Sequence, residues 1–546
     1  MASLNTRSGL LGRRLAAHLL RRTTLGATRA EIDSFAQMTA SQAFTALTTS
    51  SGFALPSPPI DPRTAATWVY GNASGGSGYL RQSYVSAWWL REAFDGSAPH
   101  LAQKITWLYH TMFTVGHHDR SSENQFHQIA LFRHYANGSV KELARKIILD
   151  NAMIEYLDSQ VSTKWQPNEN FPRELLELFT IGKGPQIGPD NYTNYTEYDI
   201  QTAARLFTGI KKNEVYTSGN YYPGTQIAMG RVQESHHDNT NKTFSSAFGG
   251  QTIVGRSAQQ DIELEFDDFI NMVFAQPATA LNYARKIYRF FVYSNISAEV
   301  EQDIITPMAQ ILASNNFNIL PALQALLTSL HFYDADDTDW TDETVGAKIK
   351  SPMEHFVSLC RFFDIAMPQE GSTETSRELC YKTWWREIML QYVLTESGMD
   401  IWNPPSVAGF NAYYQAPTFD KSWISANTLP FRYKLFDILV SGVNPLNRWQ
   451  PMPVQFDVMN FVANVISNPR DPDVFVTEIT DYVFCEKPSN ARFGYFRDDL
   501  LLDNHSVAMW QQEWDSYLQT NDDSGVKPRI TALIRGIIQT PEFQLM

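Results

Sequence analysis

The chain has 546 residues, of which 43% are hydrophobic and 19% charged, and its formal net charge is −14. This composition supplies a large core or several domains, and the negative charge argues against general binding of nucleic acid. Three cysteines are too few for a disulfide framework or a cysteine metal site, and no apolar run approaches a membrane span or the core of a signal peptide.

The predicted elements are almost all helices. Residues 8–50 predict two amphipathic helices, and a capping-box pattern at Thr28 marks the start of the second. Four further segments between residues 83 and 158 show helical spacing of apolar residues. Residues 211–255 are rich in Gly, Asn, Ser, Thr and Tyr, which predicts a long loop or a small hairpin. Helical patterns resume near residue 259 and continue to the end.

The fold class follows from these patterns. No series of strands with period-two alternation and no repeat of fixed length is present in the sequence. We therefore predict a mainly α protein, a large multi-helical chain in two helical halves with long irregular loops. The predicted halves are residues 1–250 and 251–546, divided in the polar middle segment.

Residues 168–182, NENFPRELLELFTIG, form what we call the signature segment. Glu174 and Glu177 lie three residues apart on a predicted helix, so both side chains can reach one ligand, as paired carboxylates do in carboxylate-bridged metal proteins. Arg173 would orient an anionic group, and with the two glutamates it forms the predicted catalytic set.

The signature segment also allows an interpretation without chemistry. In that case Arg173 pairs with Glu177 four residues later. Asn168 or Asn170 then caps the start of the helix, and Gly182 closes its end.

Histidines cluster in two places. Six of the twelve lie between residues 100 and 134, including His117 and His118 in a predicted loop, and His237 precedes Asp238 in the polar middle segment. Imidazole and carboxylate together suit a divalent metal such as Fe, Mn or Zn. The predicted ligands come from remote parts of the chain: His110, Glu174, Glu177, His237 and Asp238. In the alternative, each histidine is an ordinary hydrogen-bonded residue.

Several spaced motifs occur in one order over nearly the whole chain. They include HLLRRTTLGAT, WLYHTMF, ILDNAMIEYLDS, PNENFPRELLELFTIG, YTEYDIQTAARLFTGI, HHDNTNKTF, KIYRFFV, IKSPMEHFV, WNPPSVAGFN, SWISANTLPFR and TPEFQLM. In these motifs the sequence resembles the bacterial family catalogued as domain of unknown function 1800. The residues that match by motif are His18, Arg21, His110, Asn168, Glu169, Asn170, Arg173, Glu174, Glu177, Glu197, Asp199, Arg205, His237, Asp238 and Trp423.

The resemblance implies a large, mainly helical bacterial protein that is exported to the periplasm or cell surface, although the given chain shows no signal peptide. It also implies a sulfatase-like partner protein, and it implies no activity. Among the matching residues, seven are predicted to form a structural polar network: His18, Asn168, Glu169, Asn170, Glu197, Asp199 and Arg205.

Three functions are compatible with these patterns. The first is a metal-dependent enzyme with the histidine and carboxylate centre. The alternative is a non-catalytic binding or assembly protein, in which the polar motifs are a buried structural network and the aromatic, proline-containing loop 402–423 binds a partner or a glycan. A metal-free hydrolase that uses two of the glutamates is a third possibility.

Overall fold

The computed structural model describes residues 2–55, 57–71, 78–94, 98–116, 121–336, 343–447 and 452–546, with side chains from residue 80 in the third range. His117, His118 and most of the glycine-rich segment 71–79 lie outside these ranges. The fold is mainly α, as predicted, with 56% helix and 5% strand. No helix in the described ranges is long and apolar enough to cross a membrane.

The first 250 residues contain short and medium helices. They are α1 (Gly12–Thr23), α2 (Arg29–Ala36), α3 (Ala40–Leu47), α4 (Gly78–Arg91), α5 (Ala102–Met112), α6 (Ser122–His134), α7 (Val140–Ile147), α8 (Asn151–Tyr156), α9 (Asn170–Glu174) and α10 (Glu197–Leu206). The capping box at Thr28 is present. Residues 8–50 hold three helices where two were predicted, because Thr39 forms a further capping box that begins α3.

Three small antiparallel strand pairs lie between residues 186 and 253. They are β1 (Gln186–Gly188) with β2 (Asn191–Tyr192), β3 (Ile210–Lys211) with β4 (Arg231–Val232), and β5 (Lys242–Thr243) with β6 (Thr252–Ile253). Short 3-10 turns occur before, within and after this region: Ser50–Phe53, Glu92–Phe94, Ser159–Val161, Ser218–Asn220, Glu234–His236, Ser246–Phe248, His331–Tyr333 and Phe419–Trp423.

Helices resume at residue 259, as predicted. They are α11 (Gln259–Phe274), α12 (Pro277–Phe291), α13 (Ala298–Val300), α14 (Thr306–Ser314), α15 (Ile319–Leu327), α16 (Pro352–Phe362), α17 (Glu374–Glu378), α18 (Asn411–Tyr414), α19 (Leu429–Ser441), α20 (Val458–Val465), α21 (Pro472–Val483), α22 (Asn490–Gly494), α23 (Val507–Thr520), α24 (Lys527–Ile538) and α25 (Pro541–Gln544). Wider π-helical turns cover Leu175–Phe179, Glu301–Ile305, Leu379–Leu394 and Tyr495–Leu501.

One hydrophobic core connects the two ends of the chain. It includes buried residues from Ala2 to Phe543, and the early helices α1 and α3 contact α21 and α15. The predicted division into two halves is therefore not confirmed. The signature segment and α12, which lie on opposite sides of the predicted boundary, pack against each other and form the site described below.

Candidate functional site

Side-chain hydrogen bonds at Asn168 precede the first helix of the signature segment. The Oδ1 atom of Asn168 accepts a hydrogen bond from the backbone N–H of Asn170 at 2.8 Å, and the N–H of Asn168 donates to Ser162 Oγ at 3.1 Å. Phe171, Leu175 and other apolar side chains of the segment are buried. The start of this helix is thus fixed by local polar contacts and by burial of its apolar face.

Arg173 holds two carboxylates on the outer side of α9. Its guanidinium donates to Glu169 at 3.0 Å and to both carboxylate oxygens of Glu197 at 2.6 and 3.0 Å. The predicted i,i+4 pair with Glu177 is not the one that forms. Glu169 and Glu197 hold Arg173 instead, because Glu197 begins α10, which packs against α9.

Helix α12 caps the end of the signature segment. The last carbonyls of a helix have no partner within the helix, and here three neighbouring side chains of α12 satisfy residues 178–180. Lys286 donates to the Leu178 carbonyl. The Tyr283 hydroxyl donates to the Phe179 carbonyl at 2.6 Å, and Asn282 donates to the Thr180 carbonyl at 2.6 Å. Gly182, at φ +74°, donates its N–H to the Leu176 carbonyl within the segment.

The two signature glutamates have different surroundings. Glu177 lies in the π-helical turn and pairs with Lys183 at 2.6 Å, while the Tyr195 hydroxyl donates to its other oxygen at 3.4 Å. Burial, followed by repulsion from Glu177, raises the pKa of Glu174 to about 7. One carboxyl is thus ion-paired and its neighbour is held partly protonated near neutral pH.

His110 is buried among aromatic rings. Its ring lies 4.8 Å from Trp402 and 5.1 Å from both Trp89 and Trp107, measured between centroids. The Nε2 atom lies 3.1 Å from the carbonyl oxygen of Ile401, to which it donates as N–H. Burial lowers the pKa of His110 to about 4, so the ring is neutral at physiological pH.

His237 and Asp238 belong to separate ion-pair groups. His237 Nδ1 lies 3.0 Å from the Thr208 carbonyl oxygen, and its Nε2 lies 3.2 Å from a Glu265 carboxylate oxygen. Both ring nitrogens of His237 thus lie against oxygen atoms of the protein. Asp238 accepts a hydrogen bond from Arg205 at 2.8 Å. Burial opposes its ionisation, but Arg205 and Thr240 lower the pKa of Asp238 to about 2.

The structure does not bring the five predicted metal ligands together. Within the described ranges, no group of three or more His, Cys, Asp or Glu side chains could hold a metal ion. His110, His237 and Asp238 each direct polar atoms to a protein partner of their own. Glu174 and Glu177 remain neighbours because their spacing is fixed by the helix, and His237 and Asp238 because they are adjacent in the sequence.

Three of the predicted network residues form hydrogen bonds that connect neighbouring elements of the fold. Buried Asp199 accepts hydrogen bonds from Thr196 at 2.9 Å and from Ser245 at 2.7 Å, and it thereby ties the start of α10 to the middle segment. His18 is buried in α1, with Nε2 at 2.9 Å from the Phe332 carbonyl oxygen. Arg205 contacts Asp238 and Thr240 in the middle segment.

Residues 402–423 cover the helices instead of presenting an open aromatic surface. Three of their aromatic side chains are buried: Trp402, Phe410 and Trp423. Tyr413 stacks on Phe290 of α12 at 5.7 Å between centroids, and its hydroxyl accepts from Trp107 at 3.0 Å. Tyr414 is 40% exposed. Tyr413 therefore packs the loop against α12, while Tyr414 is bonded to Ser406 and Asn411 within the loop.

A cavity of about 310 Å³ lies where this loop, the signature segment, α5 and α12 meet. Its apolar lining includes Leu108 and Met112 of α5 and Phe290 of α12. Tyr413 and Tyr414 line it from the loop. This size falls within the range of small-molecule sites in proteins.

Cations outnumber carboxylates in the cavity lining. Lys183, Lys286 and Arg289 line it together with one carboxylate, Glu177, which pairs with Lys183. Within the described residues, Lys286 and Arg289 form no ion pair, and Arg289 donates only a 3.4 Å hydrogen bond, to the Ser294 carbonyl. The cavity thus has an excess of positive charge.

Two buried lysines lie close to the Phe290 ring that lines the cavity. The Nζ atoms of Lys104 and Lys348 lie 5.5 and 5.2 Å from the ring centroid. Lys104 pairs with Glu354, whereas Lys348 donates to the carbonyls of Arg289 and Phe290. Burial lowers the pKa of Lys348 to about 7, so it carries part of a positive charge near the cavity.

Comparison with known families identifies the chain. Residues 18–545 match the family described as "Protein of unknown function (DUF1800)". The chain belongs to this family. Searches of curated proteins and of solved structures found no match. Membership in DUF1800 confirms the resemblance seen in the sequence motifs and assigns no activity.

Sequence reasoning missed the cations that α12 gives to the site. Lys286 and Arg289 lie within KIYRFFV, a motif that supported the family resemblance but supplied no candidate site residue. A signal was present, because two cations one turn apart share one side of the helix among apolar neighbours. What the pattern could not show is that the signature segment lies opposite them.

Proposed function

We propose that this DUF1800 protein binds a small organic anion in the cavity between the signature segment, α12 and loop 402–423. The observation that carries the proposal is the lining of three cations and one carboxylate, in a chain with a net charge of −14. An acidic protein that gathers more cations than carboxylates around a cavity attracts anions to that place. Arg289 offers the planar donor pair that suits a carboxylate, sulfate or phosphate group.

The cavity walls also indicate the rest of the ligand. Phe290, Met112 and Leu108 present apolar surface, while Tyr413, Tyr414 and Asn282 supply hydroxyl and amide groups. A ligand with an aromatic or apolar body and one anionic group matches both kinds of wall.

This proposal is a form of the binding-protein alternative, with loop 402–423 contributing to an internal site. The metal-dependent enzyme finds no support in the described residues, since His237 and Asp238 are committed to protein partners. Catalytic roles for Glu174, Glu177 and Arg173 stay predictions, as do export and a sulfatase-like partner.

The test uses para-(hydroxymethyl)benzoate as the anionic probe and benzyl alcohol as its neutral counterpart, with affinity measured by titration calorimetry on the full chain. We expect binding of the anion only, and at least tenfold weaker binding by Arg289→Ala, which corresponds to about 1.4 kcal/mol. Arg285→Ala is the matched control, because Arg285 lies on the same helix and pairs with Glu301 at 3.0 Å.

Three results would contradict the proposal. They are no binding of the anion, equal affinity for the neutral probe, and unchanged affinity in Arg289→Ala. An equal loss in Arg285→Ala would show that the effect belongs to the helix and not to the cavity.

A further inference from the structure

The two lysines that line the cavity differ in their partners. Lys183 pairs with Glu177 at 2.6 Å. This hydrogen bond raises the pKa of Lys183, and burial, which acts in the opposite direction, has a smaller effect. Lys286 has no carboxylate partner within the described residues and donates to the carbonyl of Leu178. Burial, followed by the charge of Arg289, lowers the pKa of Lys286 to about 8. Lys183 therefore stays an ammonium, while a sizeable fraction of Lys286 is a neutral amine near pH 8.

A neutral lysine amine beside an anion-binding group can react with carbonyl compounds that carry an anionic group. Lysines become nucleophiles toward carbonyl compounds when burial or a neighbouring cation disfavours their charge. Arg289 lies three residues after Lys286, on the same side of α12, and both line the cavity. An anionic group held by Arg289 would place the rest of a small ligand within reach of the amine.

We propose that Lys286 forms a Schiff base with small anionic aldehydes or ketones that bind in the cavity. This inference rests on the proposed anion-binding function and names the chemical class of its ligand. The amine nitrogen adds to the carbonyl carbon, so a C–N bond forms and the carbonyl oxygen becomes a hydroxyl. Loss of water then breaks the C–O bond and leaves an imine. Both protons in that water come from the amine, and no oxidant or reductant is required.

The other cavity groups suit this step. Glu177 lies one residue before Leu178, whose carbonyl holds the Lys286 ammonium, and its carboxylate lines the same cavity. It can take up a proton as the amine attacks and return it to the departing hydroxyl. The ring of Phe290 and the hydroxyl of Tyr413 border the space where the ligand body would lie.

The experiment traps the imine on the full chain. The protein is mixed with para-formylbenzoate at low concentration, reduced with sodium borohydride, and analysed by intact mass and peptide mapping. We expect one adduct, on Lys286, and at least tenfold less of it with benzaldehyde, which lacks the carboxylate. Exposed Lys164 and cavity-lining Lys183 serve as internal references in the same digest.

A variant at Lys286 distinguishes loss of the reactive amine from loss of the folded cavity. Lys286→Arg keeps a donor for the Leu178 carbonyl, so it should still bind para-(hydroxymethyl)benzoate and should lose the adduct. Labelling of Lys286 no greater than that of Lys164, or equal labelling by benzaldehyde, would overturn the inference. If para-(hydroxymethyl)benzoate binds through Arg289 but no adduct forms, the Schiff base is excluded and the anion-binding function stands. If neither occurs, both proposals fail.

Discussion

Buried carboxyl groups in this protein behave in two ways, depending on whether a cation faces them. Burial would raise the pKa of Glu354, but Lys104 and Lys348 outweigh it and lower the pKa to about 2. Asp150 is also buried, yet among the described residues its carboxyl group accepts hydrogen bonds only from the Gln128 amide at 2.8 Å and the Met153 N–H at 2.9 Å. Burial therefore raises the pKa of Asp150 to about 7. A buried carboxyl group is therefore ionised at Glu354, whereas at Asp150 it keeps its proton up to about pH 7.

Asp150 gives a prediction about pH. The folded protein keeps the Asp150 proton up to about pH 7, whereas the unfolded chain releases it near its ordinary pKa of 3.8. This contribution to stability is complete below about pH 4 and is lost as the pH rises to 7. Asp150→Asn, which keeps a cap for α8, should gain on the order of 2 kcal/mol relative to the natural protein between pH 5 and pH 8.

Thermal unfolding at both pH values measures this difference. From pH 5 to pH 8 the melting temperature of Asp150→Asn should rise relative to that of the natural protein. A constant difference across the range would show that Asp150 does not titrate as described.

Helix ends were predicted well where the cap is local and poorly where it is remote. The capping box at Thr28 uses a residue three positions away, so it can be recognised in the sequence. The hydrogen bond of Asn168 to Asn170 is also local, although Glu169 and not Asn168 is the N-cap residue of α9. The carbonyls of residues 178–180 are capped by Asn282, Tyr283 and Lys286, more than 100 residues later. No pattern near the signature segment indicates those partners.

The remote cap can be tested at Tyr283. Tyr283→Phe removes the 2.6 Å hydrogen bond to the Phe179 carbonyl and leaves a buried acceptor unsatisfied. We expect a loss of about 1–3 kcal/mol in stability, measured as a lower melting temperature. Tyr517→Phe is the control, because Tyr517 lies on α23 and is half-buried. Equal stability of Tyr283→Phe and the natural protein would mean that this cap is not needed.

The early and late parts of the chain are joined by a buried ion pair as well as by apolar packing. Lys104 of α5 contacts Glu354 of α16, and both side chains are buried. Glu354 also accepts from the Ser351 N–H at 2.7 Å as part of a capping box. The pair thus connects elements on either side of the predicted division, close to Phe290 in the cavity wall.

Breaking this pair from one side should destabilise the protein strongly. Glu354→Gln preserves the capping box but leaves the Lys104 charge buried without its partner, which costs about 3–5 kcal/mol. Adding Lys104→Met should restore part of that loss, because the unpaired charge is then absent. Calorimetric melting of the two single variants and the double variant measures the coupling. Additive losses would show that the pair contributes nothing as a pair.

Local patterns in the sequence specified the helical class, the Thr28 capping box, the polar middle segment and the apolar face of the signature segment. Each of these depends on residues within a few positions of one another, where spacing fixes geometry. The partners of His110 and His237 and the cations opposite Glu177 depend on which distant segments pack together. Such packing follows from burial of the whole core. It gives His110 and His237 separate hydrogen-bond partners in place of the expected metal centre, and it brings the cations of α12 to the cavity lined by Glu177.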